Sequence, residues 1–127
     1  MPIEIPAIVN QTLNRRGTVL LLADRRQSQT GNALRTAGYH LLTAFTPDHA
    51  VALCVNNNVD AVILDQEHFV VTEGWSVAQS LKMIKAHICV LLVIREKIVN
   101  DELPAGIDAM IPQGDARRLL KTLKELF

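Results

Sequence analysis

Aromatic residues are scarce in this chain: one Trp, one Tyr and three Phe, or 4% of 127 residues. No sign of charge prevails either, because 13 Lys+Arg balance 13 Asp+Glu and the sequence pI is ≈ 6.9. A chain without basic excess and with few stacking rings lacks the footprint of a nucleic-acid binder, so no direct nucleic-acid contact is expected. Long apolar runs are missing as well. The longest, Ile88 to Ile94, spans 7 residues, where a bilayer needs about 20, and no membrane contact is expected. The opening MPIEIPAIVN has no basic stretch ahead of an apolar core, so no signal peptide is expected and the expected setting is the cytoplasm. There are 2 cysteines, Cys54 and Cys89, each inside an apolar run. They read as small core hydrophobes of a reduced compartment rather than as a disulfide. The patterns G-x-x-x-x-G-K-[ST], G-x-G-x-x-G, G-x-S-x-G, C-x-x-C and H-E-x-x-H are all absent. Their absence removes the usual nucleotide, hydrolase, redox and zinc-protease readings. No carboxylate or cysteine set is arranged around His40, His49 or His87, so no catalytic residue is assigned and the chain is not expected to be an enzyme.

What is present is one domain's worth of chain, 14.1 kDa and 49% apolar, with room for a single buried core. Residues 1–17, with Pro2 and Pro6 and ending in Asn14-Arg15-Arg16-Gly17, read as a leader outside the core alternation. From Thr18 the pattern is regular. TVLLLA (18–23) is apolar at consecutive positions, as suits a strand covered on both faces. A weak helix is predicted over 27–37, its propensity lowered by Gly31 and two threonines, with Gly38 to end it. YHLLTAF (39–45) is the second strand. Thr46-Pro47-Asp48 is a helix start, with a hydroxyl cap, proline at the first helical position and an acid at the positive end of the dipole. VDAVIL (59–64) is the third strand, and QEHFVVTEG reads as a loop. A helix is predicted over 75–86 from Val77, Ala78, Leu81 and Ile84, then a fourth strand, HICVLLVI (87–94). Residues 95–106 have room for a short helix limited by Pro104. DAMI (108–111) is the fifth strand. Residues 114–127 form an amphipathic helix capped by Asp115, with Leu119, Leu120, Leu123, Leu126 and Phe127 on one face.

This alternation predicts a doubly wound α/β three-layer sandwich with a five-stranded parallel sheet. A ferredoxin-like split unit would need fewer strands and a different alternation. In an open sheet of order 2-1-3-4-5, ligands bind beyond the carboxyl ends of the strands where the order reverses, between the first and third. Asp24 ends the first strand and Asp65 ends the third. Neighbouring strands lie about 4.8 Å apart, and two bare carboxylates at about 4 Å repel by about 4 kcal/mol at an effective dielectric near 20. A hard cation would relieve that repulsion, and oxygen ligands favour magnesium. The blander reading is that an aspartate after a strand caps the next helix or turn.

VLLLAD, then VDAVILD, then Glu73-Gly74, ICVLLVI and AGIDAMIPQ together resemble the receiver domain of bacterial two-component response regulators, over residues 18–127. VDAVILD is the most specific piece. The resemblance implies a flavodoxin-like receiver fold of five βα units. It also implies a role in phosphorelay signal transduction and a protein partner, either a sensor histidine kinase or a downstream regulator. It makes Asp65 the candidate phosphoacceptor and implies a Mg2+ held by Asp24, Asp65 and the backbone carbonyl of Glu67.

The chain departs from the receiver pattern at several places. Ala23 stands for the first of two acids ending strand one. Ile94 stands for the Thr or Ser of strand four and has no donor. Gln113 and Gly114 replace Lys-Pro after strand five, and Met110 replaces the aromatic switch residue. The Met-Pro usual after the phosphoacceptor is absent. Glutamine donates a hydrogen bond but supplies no charge. Arg95 is a cation near enough in sequence to stand in for the lysine. The combined losses predict an impaired phosphorylation switch, the alternative being a working receiver phosphorylated on Asp65 with magnesium. His68 reads as a loop residue and Trp75 as core or interface. A small-molecule-binding flavodoxin-like domain would need a phosphate-binding glycine loop, which is missing.

Overall fold

The computed structural model describes residues 17–24, 28–65, 71–94 and 106–126, with 71–76 as backbone alone. Its strands are β1 (Thr18–Ala23), β2 (His40–Ala44), β3 (Ala61–Asp65), β4 (Cys89–Ile94) and β5 (Ala109–Pro112). Its helices are α1 (Gln29–Thr36), α2 (Pro47–Asn56), α3 (Val71–Ile84) and α4 (Ala116–Leu126). The strands pair in parallel in the order β2-β1-β3-β4-β5. This is the doubly wound α/β, flavodoxin-like sheet that the alternation of apolar runs predicts. The leader to Arg16, Glu67, His68 and Arg95, and the short helix foreseen within 95–106 (apart from Gly106), lie outside the described residues.

Except for Thr18 at the start of β1 and Asp65 at the end of β3, the central strands are apolar throughout because both of their faces are covered. Val19, Leu21 and Ala23 of β1 pack with Leu34 of α1 and with Leu119 and Leu123 of α4. Leu20 and Leu22 point the other way, to Ala50 and Cys54 of α2 and to Val77, Ala78 and Leu81 of α3. Each fully buried leucine contributes about 1.5–3 kcal/mol relative to an exposed one. Cys54 belongs to the α2–α3 layer and Cys89 packs against the α1–α4 layer. The sheet separates them, and both thiols are free. Burial pushes the Cys54 thiol up to about 11, with Lys85 pulling weakly the other way.

The caps follow the sequence. The Thr46 hydroxyl accepts from the His49 N–H at 3.2 Å, ahead of Pro47. Asp115 Oδ1 accepts from the Arg118 N–H at 3.1 Å, and α4 starts at Ala116, two residues after the expected 114. Gly114, at φ 84°, makes the turn in between. α1 ends in a Schellman arrangement: the Gly38 N–H donates to Arg35 O and the Tyr39 N–H to Leu34 O, with Gly38 at φ 95°.

The expected start of the helix at 75 is corrected to Val71, and its end from 86 to Ile84. Gly74 therefore lies inside the helix rather than in a loop, a local cost of about 1 kcal/mol. Packing of Val77, Ala78 and Leu81 on the sheet outweighs that preference.

At the amino ends of the strands, two acids close the sheet. Asp60 Oδ2 accepts from the Thr18 N–H at 2.8 Å, while the Asp60 N–H donates to Thr18 O at 2.9 Å. Asp108 Oδ2 accepts from the Val90 N–H and from Lys82 Nζ, both at 2.8 Å, and the Asp108 N–H donates to Val90 O.

Candidate functional site

The opposite, carboxyl edge of the sheet carries the other two strand-associated acids. Ala23 is the register partner of Asp65 across β1 and β3, and Asp24 is the next residue along. The order reversal between β1 and β3 therefore brings Asp24 and Asp65 to one edge on adjacent strands. Asp24 is exposed; Asp65 is buried, with 7% of its surface accessible.

Asp65 continues the alternation of Ala61 and Ile63, which face the α1–α4 layer, and a hydrogen bond that it accepts comes from that side. Thr30 Oγ1 donates to Asp65 Oδ2 at 2.7 Å. Thr30 stands in the first turn of α1, two residues after Ser28, whose hydroxyl accepts from the Gly31 N–H at 3.0 Å. Helical Cα–Cβ bonds tilt toward the amino end, so a first-turn side chain of α1 reaches back to the sheet edge. Gly31 lies close to Leu21: a Cβ there would come within 3.4 Å of Leu21 Cδ2 and 3.2 Å of Ser28 Oγ. That close approach lets the first turn of α1 sit down on the sheet.

The substituted switch positions fall into two groups. Ile94 and Met110 are half-buried and pack against the α2–α3 layer. Ile94 thus presents hydrocarbon at the end of β4. Gln113 is exposed, and its backbone N–H donates to Ile94 O at 2.8 Å. Counting on in steps of two from the Asp108 N–H, which bonds Val90 O, residue 112 would supply that donor. Pro112 has no N–H, so the next amide takes its place and fixes the backbone of Gln113 beside β4.

Mg2+ keeps several waters and needs only one or two carboxylates from a protein. Asp24 and Asp65 fit that donor chemistry. Among the described residues no group of three or more His, Cys, Asp or Glu gathers to hold a metal, and Glu67 lies outside them. Sequence reasoning singled out Asp24 and Asp65 but missed Thr30, which it met only as a weak helix former. The available signal was a hydroxyl at the second helical position after a serine cap, in the helix that follows the first acid.

No protein-family model matches the chain, and no curated protein matches it. Solved structures do. The chemotaxis response regulator CheY4 of Vibrio cholerae superposes with a TM-score of 0.73 at 21% identity, covering 87% of this chain and 98% of that one. A CheY-like response regulator receiver domain protein from Methanospirillum hungatei gives 0.71 at 22% identity, covering 86% and 91%. The response regulator TrrA of Thermotoga maritima, in complex with Mg(2+)-BeF, gives 0.69 at 21% identity, covering 87% and 99%. TrrA is also seen in complex with the histidine kinase ThkA. The chain has the fold of these receiver domains. Among the described residues, no helix is long and apolar enough to cross a membrane.

Proposed function

We propose that this chain is a divergent receiver-type module of two-component phosphorelay signalling, acting through protein–protein contacts with an impaired phosphorylation switch. Asp65 takes the place of the phosphoacceptor. Asp24, Asp65 and the Glu67 carbonyl take the place of the magnesium ligands. The observation that carries the reading is the pairing of β1 with β3, which sets Asp24 beside a buried Asp65 at the point of order reversal. When bound, magnesium would neutralise phosphoryl oxygens arriving at this edge.

The impairment rests on what surrounds the acids. Ile94 offers no hydroxyl, Gln113 no charge and Met110 no ring, so phosphorylation would lack the groups that translate it into movement. The partner that fits is a protein, a sensor histidine kinase or a downstream regulator, as ThkA is for TrrA. No nucleic acid is proposed, and no catalytic role.

Incubation with acetyl phosphate and Mg2+, read by intact mass, tests the reading. A substoichiometric gain of one phosphoryl group, lost in Asp65→Asn, is expected. A stoichiometric gain lost in Asp65→Asn would establish the working receiver instead.

A further inference from the structure

We propose that Thr30 is a positioning residue that biases Asp65 toward its unphosphorylated form, an inference that rests on Asp65 being the acceptor. The inference stands on the 2.7 Å bond from Thr30 Oγ1 to Asp65 Oδ2, made by a first-turn residue of a capped helix to a buried carboxylate.

Phosphorylation forms a bond between one Asp65 oxygen and phosphorus. The bridging P–O bond of acetyl phosphate breaks and its electron pair departs with acetate. The carboxylate's charge is then no longer shared over its two oxygens, and the unbonded one becomes a carbonyl. A hydroxyl donor bonds a carboxylate more strongly than a carbonyl oxygen. The Thr30 bond therefore holds the reactant acid more tightly than the acyl phosphate, and it raises the barrier to attack. If Oδ2 itself attacks, the bond must first be surrendered, so the sign is the same for either oxygen.

The reverse step gains by the same logic. Water attacks phosphorus, the P–O bond to Asp65 breaks, and the electron pair returns to the carboxylate while the water's protons leave with phosphate and solvent. Thr30 donates to the charge that develops on the leaving carboxylate and speeds its departure. Thr30 would act through Asp65 in both directions, slowing loading and hastening loss. A side chain on α1, rather than one on β4, would then set the lifetime of the modified state.

The test uses the full chain with Thr30→Val, which keeps the shape and removes the donor, and Thr30→Ser, which keeps the donor. With acetyl phosphate and Mg2+, Thr30→Val should raise the phosphorylated fraction. Once the donor is removed, its dephosphorylation half-life should lengthen by about tenfold, the part of a charge-assisted hydrogen bond that differs between the two states. Thr30→Ser should behave as the unaltered protein, a rescue that a merely structural role would not give. Should Thr30→Val fail to fold, Thr30→Ala serves as the donor-free variant. A half-life that is unchanged or shortened without the donor overturns the inference. So does a mass gain that survives in Thr30→Val combined with Asp65→Asn. No gain in any form, the donor-free variants included, also overturns it and leaves the impaired reading standing. A stoichiometric gain in the unaltered protein overturns the impaired reading, and the half-lives still decide the role of Thr30.

Discussion

Replacing Asp108 with alanine removes one carboxylate oxygen that serves two donors, the Val90 N–H and Lys82 Nζ, each at 2.8 Å. The two losses differ in size. Val90 is fully buried, and its amide would be left without a partner, at a cost of about 1–3 kcal/mol. The Lys82–Asp108 ion pair is partly exposed, at 25% and 35% of side-chain surface, so it contributes at most about 1 kcal/mol. Asp108→Ala should therefore destabilise by about 1–4 kcal/mol. With an m-value of about 1.5 kcal/mol/M, the urea midpoint should fall by about 1–3 M. Asp108→Asn keeps an acceptor for Val90 and loses only the charge, so its cost should stay below about 1 kcal/mol. Urea unfolding followed by far-UV circular dichroism measures both variants. Equal losses in the two would show that the ion pair, not the backbone bond, is the important contact. A loss below about 0.5 kcal/mol in the alanine variant would refute the reasoning altogether.

Two further expectations come from the thiol and the glycines. The Cys54 thiol, at about 11 when folded against 9.0 for the free group, is protonated more tightly in the native state; its contribution to stability is full below pH 9 and is lost as pH rises toward 11. Denaturant midpoints across that window should fall less steeply in Cys54→Ala, and a thiol reagent at pH 8 should label Cys54 only on unfolding. Gly114→Ala meets no atom within 4 Å, whereas at Gly106 a Cβ would lie 3.2 Å from the Ala78 Cβ. Both glycines have φ 84°, so each substitution should cost about 1–2 kcal/mol in backbone strain, with Gly106→Ala the worse; thermal melts of the pair would show it.

The strands were legible because each central one carries an uninterrupted apolar run, as burial on two faces demands of strand interiors. Helix starts were legible at Thr46 and Asp115, where a capping side chain announces the turn. The start of α3 was not, since Gly74 argues locally against the helix that distant packing imposes. The acids show the same division. Asp24 and Asp65 could be picked out because each follows an apolar run. Asp60 and Asp108 also stand beside such runs, but what they bind is the backbone of a neighbouring strand, and that depends on register. Thr30 was hidden for a related reason: its partner lies 35 residues away and meets it only once α1 is laid on the sheet.

The sheet acts as a partition between two separately packed halves of the molecule. Asp65 and Thr30 are on the α1–α4 side, while Ile94 and Met110 fill space on the α2–α3 side. A change of side-chain volume at Ile94 or Met110 falls in the layer on the far side of the sheet from the hydroxyl–carboxylate pair. Substitutions at those two positions should therefore leave the Thr30–Asp65 bond in place.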